Sequence, residues 1–331
     1  MPDLRHHGDV EATPGLVDLA VNVFPGSRPG WLDDALRVSL DHVGRYPDPT
    51  AAEAALAAYH HRPAAHCVAT AGAAEAFTLL ARRPWRHPVV VHPQFTEPHA
   101  ALLAAGHEVD AVVAPEPFAL PAVPDTADLV VLGNPTNPTG VLHPAGAVRA
   151  LLRPGRLVVV DEAFMDAVPG EPASLADVVT PGLVVVRSLT KQWSIPGIRA
   201  GYLLGHPDDV APLRAARTPW SVSTPAAAAM TACASERART ESVRRAGLLA
   251  GWRAHLEAGL ADVGVHHVPS STAFVLARPG DGVHARLREA GVAVRRCDTF
   301  PGLDASWVRL AVRPPEVTDR VLPLLAAASR S

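Results

Sequence analysis

Short apolar runs alternate with helical stretches over the first two thirds of the chain. The runs at 88–92, 129–132, 156–160 and 183–186 are nearly continuous in valine and leucine. Such runs are typical of strands that are buried on both faces of a sheet. Because helices are predicted between them, the pattern favours an α/β fold with a mainly parallel sheet.

The predicted helices divide the chain further. Residues 31–43 have apolar positions at helical spacing, and Thr50 is placed to cap a helix over residues 51–61. A helical region from about residue 221 to residue 263 precedes strands at 272–276, 292–296 and 307–312, with a helix over 282–290. We therefore expect an extended N-terminal arm (1–30) packed with a small α+β domain (226–331), and a large domain (31–225).

Composition narrows the class of protein. The 331 residues are 48% hydrophobic and 19% charged, which is typical of a globular chain. A net charge of -3 gives no general attraction to nucleic acid or to an anionic membrane. No apolar run reaches about 18 residues and the N-terminus lacks an apolar signal core, so we expect a cytoplasmic enzyme without a membrane span.

Cysteine and histidine give no sign of a disulfide framework or a metal site. Cys67, Cys233 and Cys297 are odd in number and form no C-x-x-C pair. The histidine pair His6 and His7 lacks further ligands at matched spacing, so no metal is predicted.

A polar turn after the apolar run 183–186 carries the only lysine of the chain, Lys191. The hydroxyls of Ser188 and Thr190 flank it, and Arg199 follows eight residues later. A lysine amine forms a Schiff base with carbonyl cofactors. Hydroxyls and a guanidinium suit a phosphate dianion. The combination favours pyridoxal 5'-phosphate (PLP), although an ordinary polar surface loop could have the same residues.

Further candidates follow the predicted strands, at the sheet edge where α/β proteins bind ligands. Gly72 leads into a helix of small residues, which either simply pack closely or present free amides to an anion. Phe95 either packs in the core or stacks on a pyridine ring. Asn137, in a stiff Asn-Pro turn, either only shapes the turn or donates to a phenolic oxygen. Asp161 ends a buried strand, where a carboxylate is costly without a partner such as a protonated pyridine nitrogen.

Two arginines, Arg295 and Arg309, each lie in an otherwise apolar strand. A buried guanidinium needs an acidic partner. The sequence leaves two alternatives open: structural ion pairs, or binding of an acidic substrate.

This ordered set of motifs resembles fold-type I PLP enzymes, the aspartate aminotransferase superfamily. The matching segments cover nearly the whole chain: Gly72–Ala74, Phe95, Asn134–Gly140, Asp161–Phe164, Ser188–Lys191, Arg199 and Arg309. The resemblance implies that Lys191 forms the Schiff base, that Asp161 pairs with the pyridine nitrogen, that Phe95 stacks on the ring and that Asn137 donates to the phenolic oxygen. It implies a phosphate site from the following residues: Gly72, Ala73, Ala74, Ser188, Thr190 and Arg199.

The resemblance also implies an assembly. Tyr46, within Arg-Tyr-Pro-Asp, is similar to a tyrosine that reaches the PLP phosphate of the partner subunit. A homodimer is therefore expected.

Two branches of the superfamily fit, histidinol-phosphate aminotransferase and the L-threonine-O-3-phosphate decarboxylase of cobalamin biosynthesis. Several local features are more similar to the decarboxylase: His7–Gly8, Ile195–Gly197, Pro219–Val222, Pro301–Asp304, and Phe164, where aminotransferases usually have tyrosine. In that branch the substrate's phosphate and carboxylate would be bound by the following residues: His7, Gly8, Asn22, Asn137, Arg295 and Arg309. Asp9, Val10, Ala73 and Ala74 depart from its usual pattern.

We therefore expect PLP-dependent decarboxylation of L-threonine O-3-phosphate to (R)-1-amino-2-propanol O-2-phosphate. The alternative is a histidinol-phosphate-type aminotransferase with 2-oxoglutarate as the amine acceptor. A non-catalytic regulator with this fold would be expected to lack the lysine or the aspartate, or to carry a DNA-binding extension. The chain has both Lys191 and Asp161.

Overall fold

The computed structural model describes residues 3–330; residues 1, 2 and 331, which the expected arm and small domain include, lie outside this range. The strands are β1 (Val17–Leu19), β2 (Cys67–Ala71), β3 (Pro88–His92), β4 (Asp110–Val113), β5 (Leu129–Gly133), β6 (Leu157–Asp161), β7 (Leu183–Ser188), β8 (Ala200–Gly205), β9 (His266–Val268), β10 (Phe274–Arg278), β11 (Val292–Arg296) and β12 (Val308–Ala311). The helices are α1 (Gly30–Leu40), α2 (Thr50–Tyr59), α3 (Ala73–Ala81), α4 (Glu97–Ala104), α5 (Ala145–Arg149), α6 (Pro207–Ala216), α7 (Thr224–Cys233), α8 (Glu236–Asp262), α9 (Val283–Glu289) and α10 (Pro315–Arg330).

A seven-stranded sheet in the order β2-β8-β7-β6-β5-β3-β4 forms the centre of the large unit. Its strands are parallel except β8, which runs antiparallel to β2 and β7. Both faces are covered: Val158 and Val160 of β6 enter one apolar core and Val159 enters the other. The predicted α/β fold with a mainly parallel sheet is therefore confirmed.

A second sheet of five strands, in the order β1-β11-β12-β10-β9, forms the smaller unit. β1 pairs in parallel with β11, so that Val17 lies opposite Val292. The N-terminal segment thus contributes a strand to a sheet whose other strands come from the C-terminal third. Helices α8 and α10 supply Leu256 and Leu325 to the core of this unit.

One local prediction is wrong. Thr50 does not cap α2, because Pro49 occupies the N-cap position and the helix begins at Thr50 itself. The carboxylate of Asp48 accepts from both the amide and the hydroxyl of Thr50, at 2.9 and 2.6 Å. The first-turn amide is therefore satisfied by an aspartate two residues upstream.

Among residues 3–330, no helix combines the length and the apolar character that crossing a bilayer requires.

Candidate active site

The carboxyl ends of β6 and β7 bring Asp161 and Lys191 into one region. The two strands are parallel neighbours, with Asp161 opposite Val186, and Lys191 follows the last residue of β7 by three positions. Each side chain affects the pKa of the other, since Lys191 lowers that of Asp161 and Asp161 raises that of Lys191. They therefore lie within electrostatic range of each other at this edge of the sheet.

Asp161 is a buried carboxylate with few partners. Burial raises its pKa to about 6, against the hydrogen bond that its Oδ1 accepts from the Ala163 amide at 3.0 Å. Its side chain makes no ion pair with residues 3–330. A cationic group of a ligand would supply the missing partner.

Lys191 is partly buried, and its amine is activated. Burial lowers its pKa to about 8, and the positive charges of Arg309 and Arg199 lower it further. At pH 7 about one amine in ten is therefore unprotonated, far more than for a free lysine. Such an amine can act as a nucleophile.

An anion site is built where α3 begins, from Gly72–Ala74, Ser188, Thr190 and Arg199. The Ser188 and Thr190 hydroxyls lie 2.8 Å apart. Ser188 pairs across the sheet with Gly201, and a β-carbon at Gly201 would come within 2.7 Å of the Ala73 amide nitrogen. The hydroxyls and the first amides of α3 thus converge.

Glycine is required at the entrance of this anion site. Gly72 has a φ of +78°, and a β-carbon there would lie 2.5 Å from Arg199 Nη2. The guanidinium of Arg199 therefore occupies the space beside the helix start, where the amides and the helix dipole favour an anion. Together these groups suit a phosphate.

Asn137 and Phe95 each leave one group available to a ligand. The Asn137 oxygen accepts from Arg309 Nη1 at 2.5 Å, and its amide nitrogen makes no hydrogen bond with residues 3–330. That nitrogen is free to donate to a ligand oxygen. Phe95 is half-buried, with its ring 5.6 Å from that of His7 and 6.2 Å from that of Phe77. It can present a face to a planar ring.

Arg295 and Arg309 are adjacent across β11 and β12, and both are buried. Arg309 donates to Asn137 and to the Ala20 carbonyl, and Arg295 donates to the His6 carbonyl and the Thr299 hydroxyl. Neither forms an ion pair with an acid in the described part of the chain, which argues against the structural alternative. Burial, and then the charge of Arg295, lowers the pKa of Arg309 to about 9.

The beginning of the chain lies over these two arginines. Asn22, with its amide oriented toward the guanidinium, accepts from Arg309 Nε and Nη1 at 3.1 and 3.0 Å. A β-carbon at Gly8 would lie 3.3 Å from Arg309 Nη2 and 2.5 Å from the Ala20 carbonyl oxygen, so glycine is required for this approach. The predicted substrate residues of the N-terminal segment thus adjoin the arginines.

Tyr46 is not brought into this region by its own chain. It is 78% exposed and stacks on Trp220, with ring centroids 4.4 Å apart. Any role at an active site would have to be in another copy of the chain.

The supporting roles of two residues, Asn134 and Glu97, were not predicted from the sequence. The Asn134 side chain donates to the His143 carbonyl and accepts from the His143 amide, which braces the turn that carries Asn137. Glu97 accepts from His7 at 2.7 Å. Glu97 lies only two residues after Phe95, but nothing local in the sequence pairs it with a residue 90 positions upstream.

The chain is similar in sequence and in structure to known proteins. The model of the family described as aminotransferase class I and II matches residues 14–326. A protein from Mycobacterium tuberculosis named histidinol-phosphate aminotransferase is 46% identical over 317 residues, covering 94% of this chain and 87% of the relative.

The chain belongs to the class I and II aminotransferase family. A threonine-phosphate decarboxylase from Salmonella typhimurium is 31% identical, covering 94% of this chain and 90% of the relative. The structure of the histidinol-phosphate aminotransferase from Clostridium acetobutylicum superposes with a TM-score of 0.88 at 22% identity, covering 95% and 99% of the two chains. The predicted membership of fold type I is therefore confirmed.

As a class I and II aminotransferase family member, the protein uses PLP. The residues described above fit this cofactor in charge and shape: the anion site suits its phosphate, Asp161 its pyridine nitrogen, and Asn137 its phenolic oxygen. Lys191 has the lowered pKa that attachment of an aldehyde needs.

The Lys191 pKa predicts how this family member takes up its cofactor. Only the unprotonated amine attacks an aldehyde, so the rate of covalent attachment of PLP to the apoenzyme should rise about tenfold from pH 6 to pH 7 and level off above about pH 8. Rapid-mixing absorbance measurements would give this profile. In Arg309→Gln the midpoint should move to higher pH, since one lowering charge is removed; a midpoint near 10 in the unsubstituted protein would contradict the prediction.

Proposed function

We propose that the protein is an aminotransferase of the histidinol-phosphate type, which moves the amine of a phosphorylated amino alcohol to 2-oxoglutarate. The observation that carries this proposal is the adjacent pair of buried arginines without acidic partners, Arg295 and Arg309. Such a pair can accept either the phosphate of one substrate or a carboxylate of the other. The 46% identical relative bears the same name.

The residues of the chain would share the chemistry as follows. Asp161 holds a proton at the pyridine nitrogen, and Asn137 donates to the phenolic oxygen. Arg309 and Arg295 would orient the substrate, and Lys191 would remove the proton from its Cα. When bound, PLP supplies the conjugated ring that accepts the electron pair of the bond broken at Cα.

A second candidate, decarboxylation of L-threonine phosphate, is favoured by one side chain. Phe164 packs edge-on against Phe274, with ring centroids 5.0 Å apart, and has no hydroxyl to offer the phenolic oxygen. Aminotransferases usually have tyrosine at this place in the motif. In the decarboxylase the same arginines would hold the substrate so that the bond from Cα to the carboxylate is the one broken. The sequence features favour this candidate, whereas the identities favour the aminotransferase.

One experiment separates the two candidates. The purified holoenzyme is given histidinol phosphate with 2-oxoglutarate, and in a second reaction L-threonine phosphate alone. The proposal predicts formation of glutamate in the first reaction and little CO2 in the second. Release of CO2 with appearance of aminopropanol phosphate, and no glutamate, would replace the proposal by the second candidate.

We further propose that the protein acts as a homodimer in which Tyr46 reaches the PLP phosphate of the partner. Exposed apolar residues support an interface: Tyr46 and Trp220 stack on each other, and Val38, Leu40 and Val43 precede Tyr46 in the chain, all five being 56 to 78% exposed. We also propose the division into an arm (1–30), a large domain (31–225) and a small domain (226–331).

Removing the Tyr46 hydroxyl tests this contribution. Tyr46→Phe should raise the Kd for PLP about tenfold, as expected for loss of one hydrogen bond to a charged group, while leaving the dimer intact in sedimentation velocity. Tyr59→Phe is the matched control, because the Tyr59 hydroxyl makes no hydrogen bond among residues 3–330. A monomer in solution, or equal Kd values for both variants, would contradict the proposal.

A further inference from the structure

The first residues of the chain are fastened to α4 beside the ring of Phe95. The Thr96 hydroxyl donates to the Leu4 carbonyl at 2.6 Å. Glu97 accepts from His7 Nε2 at 2.7 Å through Oε1, and its Oε2 lies 3.5 Å from Arg5 Nη1. Three consecutive residues, Phe95 to Glu97, therefore combine a ring face with two attachments for the N-terminal segment.

The other side of this segment contacts the two arginines. Arg295 donates to the His6 carbonyl at 2.6 Å, and Gly8 approaches the Arg309 guanidinium. His7 lies between these two contacts, with its ring 5.6 Å from that of Phe95. The residues on either side of His7 thus contact the arginine pair, and its imidazole is held by Glu97 beside the ring of Phe95.

The contact with Glu97 determines which nitrogen of His7 is free. A carboxylate only accepts hydrogen bonds, so Nε2 carries a proton, and Nδ1 makes no hydrogen bond with residues 3–330. The hydrogen bond from His7 lowers the pKa of Glu97, which keeps this carboxylate ionised. A protonated imidazole donates from both ring nitrogens, so with Nε2 engaged by Glu97 the Nδ1–H is the donor left for a ligand anion.

We propose that Glu97 is a positioning residue for substrate specificity: it orients His7 so that Nδ1 donates to the phosphate group of the substrate, beside Arg295 and Arg309. The inference rests on the proposed function in one respect, the phosphorylated substrate. It adds a third donor to the arginine pair, and it assigns the orientation of that donor to a residue that does not itself touch the substrate.

A purely structural role for Glu97 is the competing explanation. Glu97 also pairs with Arg5, so it could simply hold the segment in place by charge. The two roles predict different substrate dependence. Loss of a structural anchor would reduce activity on all amines, whereas loss of His7 orientation would reduce activity only on phosphorylated ones.

The test compares kcat/KM for a phosphorylated amine with kcat/KM for its dephosphorylated form, histidinol phosphate against histidinol or L-threonine phosphate against L-threonine. Glu97→Ala should lower this ratio about 10- to 100-fold, as expected for loss of a charge-assisted contact. Glu97→Gln should keep most of the ratio, because the glutamine oxygen can still accept from Nε2. Arg5→Ala is the matched control: it removes the other partner of Glu97 and should leave the ratio within about twofold.

A double-mutant cycle identifies the route of the effect. In a His7→Ala background, Glu97→Ala should cause no further loss in the ratio, since the residue it positions is gone. An equal loss in both backgrounds, an unchanged ratio in Glu97→Ala, or a loss in Arg5→Ala as large as in Glu97→Ala would each overturn the inference. If Glu97→Ala does not fold, Glu97→Asp, which shortens the side chain and opens the 2.7 Å contact, takes its place.

A binding measurement separates this inference from the proposed function. Glycerol 3-phosphate carries a phosphate but no amine, so calorimetry on the holoenzyme reports phosphate binding without turnover. The Kd for glycerol 3-phosphate should rise about tenfold or more in Glu97→Ala and stay near the unsubstituted value in Arg5→Ala. If neither phosphorylated amine reacts but this difference is found, the proposed function fails and the inference stands; if histidinol phosphate reacts as proposed and the Kd is unchanged, the inference alone fails.

Discussion

Lys191→Ala should lower kcat by at least about a thousandfold, the scale seen when a covalent catalytic group is removed. Lys191 is the only lysine of the chain, so no other side-chain amine can replace it. The nearby guanidiniums of Arg199 and Arg309 carry the wrong chemistry, because an arginine stays protonated and is a poor nucleophile. Steady-state kinetics with the substrate pair identified for the unsubstituted enzyme would measure the loss.

A second substitution controls for charge at this position. Lys191→Arg retains a cation near Asp161 but no amine that can attack an aldehyde, so its loss of kcat should match that of alanine. Circular dichroism would show that both variants are folded. Residual kcat above about one hundredth of the unsubstituted value in either variant would mean that Lys191 is not the catalytic amine.

Asp161→Asn should lower kcat by about 100- to 1000-fold, the range found when one preorganised electrostatic group of an active site is removed. Asparagine can still accept the hydrogen bond from the Ala163 amide, at 3.0 Å in the unsubstituted protein, so the local geometry should persist. The Asp161→Asn variant loses the negative charge that keeps the pyridine nitrogen of PLP protonated. Asp125→Asn, the same change in an exposed pair with Arg153, should leave kcat unaltered.

The same substitution should stabilise the protein without its cofactor. Burial raises the pKa of Asp161 from 3.8 to about 6, so the ionised form is disfavoured in the folded state. The contribution of this group to the free energy of unfolding is fully present below pH 4 and falls as the pH rises from 4 to 6. Above pH 6 it is lost, and the loss amounts to about 3 kcal/mol. Chemical denaturation of the apoprotein should therefore find Asp161→Asn nearly equal to the unsubstituted chain at pH 4 and about 3 kcal/mol more stable at pH 8.

Two results would contradict this second prediction. If Asp161→Asn destabilises the apoprotein at pH 8, the carboxylate has a stabilising partner that burial and geometry do not account for. If kcat is unchanged, Asp161 does not pair with the pyridine nitrogen. A gain in apoprotein stability combined with a loss of kcat is the expected cost of keeping an unpaired buried charge for catalysis.

The sequence predicted the buried parallel strands of the seven-stranded sheet well, because each is a nearly continuous apolar run, whereas the exposed edge strand β4 was not predicted. The run at 88–92 coincides with β3, and in the smaller sheet the predicted strand at 292–296 coincides with β11. The antiparallel strand β8 was not predicted. β8 follows Arg199, whose φ is +60°. It pairs with β2, where Ala71 lies opposite Ala200, and no local sequence pattern indicates a pairing between segments so far apart in the chain.

The site was predictable as far as it depends on strand order. Functional side chains at the carboxyl ends of neighbouring parallel strands must lie near one another, which is why Asp161 and Lys191 could be paired in advance. The contact of Glu97 with His7 and the bracing of the Asn137 turn by Asn134 depend on tertiary packing and could not be read from spacing. The choice between transamination and decarboxylation depends on which bond at Cα stands perpendicular to the cofactor ring, and no residue pattern specifies an angle.

The attachment of PLP to Lys191 is tested most directly by trapping it. Borohydride reduces the carbon–nitrogen double bond between an amine and PLP, and proteolysis with mass spectrometry then locates the label. The account predicts loss of the visible absorption band and one labelled peptide, with the pyridoxyl group on Lys191. A label on the N-terminal amine alone, or no label on holoenzyme that is active, would contradict it.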